Sequence, residues 1–176
     1  MDEDAPALLA YQADPRAREF YDPAQAHAAR LQALVPLFVR WAEEVPRLNW
    51  QLAIATRQAP AKLIGSVGLR QRGAPRGMAE FGLELAASHW GRGYATEAAE
   101  ALLEFGFTTL HLTAVRCTTV SANVRVTRLV QRLGFRRVAE DGGSAWLEAR
   151  GWRGLTWELL RVDWRRGSVG GRHTSS

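Results

Sequence analysis

The sequence predicts an α/β (α+β) fold: a mixed, mostly antiparallel sheet with flanking helices. Three observations lead there. Segments of alternating apolar and polar residues are interleaved with segments of helical apolar spacing. A glycine-rich stretch, His89-Trp90-Gly91-Arg92-Gly93-Tyr94-Ala95-Thr96-Glu97, joins an alternating segment, Met78–Ala87, to the best helical pattern in the chain, Ala95–Phe107. At 176 residues, with 47% hydrophobic and 23% charged residues, the chain is one ordinary globular domain with enough apolar surface to bury a core.

In chain order, Ala5–Gln12 reads as a helix, with Leu8 and Leu9 at helical spacing. Asp14-Pro15 and Asp22-Pro23 mark helix boundaries. Ala24–Val45 is a longer helical pattern in which Pro36 predicts a kink or a division into two helices. Leu48–Thr56 and Leu63–Arg70 alternate and read as two strands of a hairpin leading into a third strand, Met78–Ala87. On that third strand Glu80, Gly82 and Glu84 share one face; Phe81, Leu83 and Leu85 share the other.

The helix after the glycine loop carries a stripe of Ala95, Ala98, Ala99, Leu102, Leu103 and Gly106, opposite Glu97, Glu100 and Glu104. Ala114–Val120 is β-rich. Asn123 then suits the N-cap of a helix whose inward residues are Val126, Leu129, Val130 and Leu133, and Gly134 suits its C-terminal cap. Phe135–Glu140, Ala145–Arg150 and Leu155–Trp164 read as strands, the last two joined by a turn at Gly151–Gly154. Residues 1–164 form the expected domain. Residues 165–176, rich in glycine and serine without an apolar pattern, are expected to be a disordered tail.

Composition excludes several functions. The net charge is +5, but Lys62 is the only lysine and the arginines are scattered, so no basic stripe for nucleic acid is expected. The four histidines show no metal-ligand spacing, so no metal is expected. Cys117 has no disulfide partner and falls in an apolar strand pattern, which reads as inert core. The chain shows no secretory leader pattern, and no apolar run is long enough to span a bilayer. A cytoplasmic location without a membrane partner is the expectation.

The glycine loop carries the chemistry. A strand–glycine loop–helix junction aims backbone N–H groups and the positive end of a helix dipole at one spot, which suits a phosphate or pyrophosphate. Gly91 and Gly93 allow positive φ and close approach of a ligand.

Trp90-Gly91-Arg92-Gly93-Tyr94-Ala95-Thr96-Glu97-Ala98, followed by Asn123-Val124-Arg125-Val126-Thr127-Arg128 and then Gly134-Phe135, resembles the two ordered motifs of the GNAT-superfamily N-acetyltransferases. The branch containing the ribosomal-protein N-terminal (alanine/serine) acetyltransferases is the most similar. The resemblance covers residues 1–164 and is strongest from Met78 to Phe135.

It implies acetyl-CoA as co-substrate, held where two central parallel strands, Met78–Ala87 and Ala114–Val120, splay apart. By resemblance, the amides of Gly91, Arg92, Gly93, Tyr94, Ala95 and Thr96 cradle the pyrophosphate. Backbone at Leu85, Ala86 and Ala87 bonds the pantetheine, Asn123 contacts the coenzyme arm, and Arg128 reaches a phosphate. The implied acceptor is a primary amine, on a peptide N-terminus or a small molecule; monomer and homodimer both remain open. The opening strand usual to the fold has no counterpart before the first helix.

Transfer to an amine has three needs. The amine must be neutral, and a carboxylate, directly or through water, can take its proton. Glu80, in Ala79-Glu80-Phe81, resembles the segment carrying the catalytic glutamate of some members; Glu84 on the same face is the other candidate. The oxyanion needs a donor, most simply a strand N–H. The departing thiolate benefits from a proton. Here the sequence departs from the family, because its serine is replaced by Val126 and the tyrosine of other branches by Val130. Ser121 and Thr127 are the substitutes nearby. The same gap leaves a second reading, a non-catalytic acyl-CoA-binding protein. Trp146, Trp152 and Trp157 read as hairpin packing and a wall of the acceptor cleft.

Overall fold

The computed structural model describes residues 4–23 and 28–164, with the side chains of residues 4, 5, 17 and 28–32 left aside. The first residues of the Ala24–Val45 pattern and the expected tail, 165–176, lie outside the described residues.

Helices α1 (Asp4–Ala13), α2 (Pro15–Arg18) and α3 (Ala28–Glu43) come first. Strands β1 (Asn49–Ala55), β2 (Leu63–Arg70) and β3 (Met78–Leu85) follow, then α4 (Tyr94–Thr108), β4 (Ala114–Val120), α5 (Val124–Arg132), β5 (Arg136–Asp141), α6 (Ala145–Glu148) and β6 (Gly154–Leu160). They build one six-stranded sheet in the order β1-β2-β3-β4-β6-β5. All neighbours are antiparallel except β3 and β4. This is the expected mixed sheet.

Burial explains which face each helix covers. Leu102, Leu103 and Phe107 of α4, Val130 of α5 and Leu133 just after it join Leu69, Phe81, Val115, Trp157 and Leu159 in one core. Helix α4 comes close to the sheet at Gly106, where an added Cβ would lie 2.7 Å from Leu69 Cδ1. On the opposite face Tyr11 of α1 donates to Ser66 of β2 at 3.4 Å, and both are buried. The Tyr11 hydroxyl is pushed above its ordinary pKa by burial, against the pull of the Ser66 bond.

Two sequence readings need correction. Ala145–Arg150 is not a strand: Leu147, Glu148 and Ala149 bond back to Ser144 and Ala145, and the turn is anchored by buried Leu147. Since β6 already has β4 on one edge and β5 on the other, the hairpin has no vacant edge beside it. The last strand stops at Leu160, and residues 161–164 make a helical turn in which Trp164 Nε1 donates to Glu104 of α4 at 2.8 Å. Of the two outcomes expected at Pro36, division into two helices does not occur: α3 runs through it. Pro36 is exposed, so water can bond the carbonyl its ring leaves without an N–H.

Cys117 is 4% exposed. Burial, with a smaller contribution from the Glu80 carboxylate, pushes its thiol up to about 12. The sign of the linkage follows: above the ordinary thiol pKa of about 8.5 the unfolded chain loses this proton and the folded chain keeps it, so stability falls as pH rises toward 12. The slope attributable to this one group is at most about 1.4 kcal/mol per pH unit. Urea titrations at several alkaline pH values should show a flatter decline for Cys117→Ala. Iodoacetamide should label the thiol only in the denatured protein.

Candidate active site

Strands β3 and β4 pair only at Met78↔Ala114, Ala79↔Val115 and Glu80↔Arg116. Beyond that they part. The backbone on both sides of the gap follows from register. Ala86 N donates to Ile64 O at 2.8 Å, so the hydrogen-bonded pairs on β2 and β3 are Ser66↔Glu84, Gly68↔Gly82 and Arg70↔Glu80. Phe81, Leu83 and Leu85 therefore turn their N–H and C=O groups toward β4. Ser121 N donates to Arg153 O at 2.9 Å, so by the same alternation Thr118 and Val120 of β4 turn theirs toward β3. The result is a wedge lined by backbone polar groups.

Two helix N-termini flank its open end. Gly91 has φ +75° and Gly93, the residue before α4, has φ +84°. That left-handed backbone favours glycine. No side chain caps α4, and its first backbone bond is Glu97 N to Gly93 O at 3.0 Å. The amides of Tyr94, Ala95 and Thr96 thus have no acceptor within the helix. A Cβ on Gly91 or Gly93 would meet no atom within 4 Å, so open space lies in front of the loop. Arg92 is exposed there. His89 is held below its ordinary pKa by partial burial and by the positive charges of Arg92 and Lys62. Across the gap Asn123 caps α5, its Oδ1 accepting from Val126 N at 3.2 Å. Arg128 is exposed on the same helix.

The pantetheine candidates divide. The Leu85 carbonyl already accepts from Trp90 Nε1 at 2.8 Å, and the Ala86 N–H is spent on Ile64. Ala87 opens a short 3-10 turn, Ala87–His89. The Leu83 and Leu85 N–H groups remain directed at the gap.

Sequence reasoning gave Arg125 no role at the site. Its guanidinium lies 4.7 Å from the Trp90 ring centre, so α5 reaches across the mouth to the glycine loop. The neighbouring tryptophan in the loop motif was the available signal.

The two candidate glutamates differ. Glu80 sits where β3 and β4 are still paired, is 56% exposed, and meets Arg70 at 3.4 Å. Glu84 sits in the splayed part. Its carboxylate accepts from Gln12 Nε2 at 2.7 Å and from Tyr21 Oη at 3.1 Å, both neutral donors. Tyr21 is half exposed; partial burial of its side chain and the adjacent Glu84 charge raise its hydroxyl pKa. Neither Gln12 nor Tyr21 carried a sequence signal, because their link to Glu84 spans 72 and 63 residues.

Val130 is 1% exposed and Val126 packs against the core. Ser121 Oγ accepts from Arg153 N at 2.9 Å. Thr127 Oγ1 is buried without a hydrogen-bond partner among the described residues. Also among the described residues, no group of three His, Cys, Asp or Glu side chains is placed to hold a metal, and no helix is long and apolar enough to cross a membrane.

Known proteins are similar to this chain in sequence or in fold. The N-acetyltransferase p20 of Bacillus licheniformis, itself uncharacterized, is 33% identical over 76 residues, 43% of either chain, so the match spans less than half of that relative. The similarly uncharacterized N-acetyltransferase YoaA of Bacillus subtilis is 23% identical over 137 residues, 77% of this chain and 76% of its own. A GNAT-family acetyltransferase from Bacillus anthracis superposes with a TM-score of 0.72 at 18% identity, covering 92% of each chain. Spermidine N-acetyltransferase from Vibrio cholerae, solved with CoA and spermine, gives a TM-score of 0.74 at 17% identity, over 93% of this chain and 94% of its own. The description "Acetyltransferase (GNAT) domain" belongs to the family profile that matches residues 1–136. With a splayed parallel pair, an uncapped glycine-opened helix and that match, the chain belongs to the GNAT acetyltransferase family and is an N-acetyltransferase.

Proposed function

We propose that this chain acetylates a primary amine that enters on the Glu84 side of the sheet, in a ternary complex with acetyl-CoA held at the gap. The single observation carrying the proposal is Glu84, a carboxylate in the splayed part of β3 whose hydrogen-bond donors among the described residues are both neutral. A carboxylate so placed attracts an ammonium ion and can take its proton, directly or through water. Glu80, tied to Arg70, is assigned the lesser role of shaping the charge beside it.

The fit for the coenzyme rests on the open space before Gly91 and Gly93 and on the uncapped amides of Tyr94 to Thr96. In this reading Gly91, Arg92, Gly93, Tyr94, Ala95 and Thr96 hold the pyrophosphate, the Leu83 and Leu85 N–H groups bond at the gap, Asn123 contacts the arm and Arg128 reaches a phosphate. When bound, acetyl-CoA supplies the activated acetyl thioester. The Leu83 or Leu85 N–H also serves as donor to a carbonyl oxygen brought into the gap.

Both a peptide α-amine and a small-molecule amine suit this side. An α-amine has a pKa near 8 and needs little help, whereas an alkylamine near 10.4 depends more on the carboxylate. The likeness to ribosomal-protein N-terminal acetyltransferases in the loop motif supports the first; the spermine-bound neighbour supports the second. A panel of peptide amides and alkylamines, read by thiol release from acetyl-CoA, tests the reading. Acceptor-dependent release is expected, and a Glu84→Gln protein with wild-type turnover would refute the role of that carboxylate.

Proton supply to the leaving thiolate gives a separate prediction. A general acid commonly contributes about 10² to 10⁴ in rate, and Val126 and Val130 supply none. Val126→Ser should raise turnover, with a modest fall in Tm because a hydroxyl on a packed face is costly without a partner. Unchanged turnover in Val126→Ser, with loss of the alkaline limb of the pH–rate profile in Thr127→Val, would transfer the donor role to the buried Thr127 hydroxyl.

A further inference from the structure

The corner that closes the acceptor side is aromatic. Trp146 of α6 and Trp152, just before β6, meet at 84° with ring centres 5.5 Å apart. Phe20 packs on Trp152 at 5.7 Å. Trp152 N donates to Leu147 O at 2.9 Å, and the next residue, Arg153, is bonded through its N–H to Ser121 Oγ at 2.9 Å. The corner therefore stands at the end of β4, beside the open end of the gap. It is joined to Glu84 by two consecutive residues: Phe20 touches Trp152, and Tyr21 donates to Glu84.

A cation already sits on these rings. The Arg150 guanidinium carbon lies 4.4 Å from the Trp146 ring centre and 5.8 Å from that of Trp152. Arg150 also donates to the Trp146 carbonyl, at 3.3 Å. None of the ion pairs among the described residues includes Arg150, and its side chain is exposed. The Trp146 Nε1 is buried without a partner among the described residues. A phenyl ring would avoid that orphan donor; what an indole offers instead is the strongest aromatic face for a cation.

We propose that Trp146 and Trp152 form an acceptor subsite for a second cationic group, an alkylammonium or guanidinium carried by the same molecule as the reacting amine, and that Arg150 is the resident cation it displaces. This rests on the reading that the acceptor amine enters beside Glu84. The acceptor class is then a diamine, or a peptide N-terminus followed by a basic residue, with one positive charge at Glu84 and the other on the indoles. Exchange is easy because an exposed cation on an aromatic face is weakly held.

The test compares matched acceptors: n-pentylamine with 1,5-diaminopentane, and Ala-Leu-amide with Ala-Arg-amide. The readout is the ratio of kcat/KM, cation-bearing over neutral. Wild type should favour the cation-bearing member. Arg150→Ala should raise the ratio about threefold or more, through KM, by removing the competitor. Trp146→Leu should bring the peptide ratio to about one and the diamine ratio to about two, the statistical factor for two equivalent amines, with unchanged far-UV circular dichroism as the folding control. Methylguanidinium, titrated against indole fluorescence, should bind Arg150→Ala more tightly than wild type. Ratios that stay equal across the three proteins, with no methylguanidinium difference, overturn the subsite and leave the amine-transfer reading intact. If no acceptor is turned over yet methylguanidinium still prefers Arg150→Ala, the cation site stands and the acceptor reading falls.

Discussion

Glu84→Gln is expected to lower kcat about 10²-fold or more while leaving CoA affinity within about twofold of wild type. The substitution keeps the shape of the side chain and its bond from Tyr21, but removes the charge and sets an amide against the Gln12 donor. The loss should fall in kcat, since proton removal from the amine is a step of the reaction and not of coenzyme binding. It should be larger for an alkylamine than for a peptide α-amine, because the alkylammonium gives up its proton less readily. Glu80→Gln should cost less: Glu80 is paired to Arg70 and lies before β3 and β4 separate. Stopped-flow thiol release for both variants checks this. A large loss in Glu80→Gln with none in Glu84→Gln would exchange the two roles.

Gly93→Val should weaken CoA binding tenfold or more, about 1.4 kcal/mol. Two effects add. At φ +84° a β-branched residue is strained, so the loop relaxes away from the conformation that aims the Tyr94, Ala95 and Thr96 amides outward. The new side chain also enters the open space before the loop, where no atom of the described residues beyond its chain neighbours lies within 4 Å of the added Cβ. Gly93→Ala separates them, carrying most of the strain with less bulk. Isothermal calorimetry with CoA provides the measurement, and an unchanged affinity in a folded Gly93→Val protein would remove the loop from the coenzyme site.

Local pattern made most of the fold legible. Leu63–Arg70 and Ala114–Val120 fall on the expected residues, and the N-cap of α5 at Asn123 and the left-handed Gly134 after it could be read directly. These features depend on neighbours in sequence. The wedge between β3 and β4 does not: nothing in Met78–Ala87 or Ala114–Val120 says that pairing stops after Glu80↔Arg116, and only the motif resemblance implied it. Long-range contacts were illegible for the same reason, as Tyr21 to Glu84 and Arg125 to Trp90 show. The misread strand at Ala145–Arg150 failed on topology, since its alternation of small, aromatic and charged residues suits an edge that β5 had already taken. Glu80 and Glu84 looked equivalent on one face; their partners, a guanidinium for one and neutral donors for the other, distinguish them.

In the proposed function, Glu84, at the splay, serves acetyl transfer to an amine. The most direct measurement is the rate of acceptor-dependent thiol release from acetyl-CoA over a panel of peptide amides and alkylamines, with wild type and Glu84→Gln side by side and CoA affinity measured on both. Amine-dependent release by wild type is expected, with a loss of about 10² in Glu84→Gln at equal CoA affinity. Tight CoA binding by both proteins, with no amine acetylated by either, would contradict it.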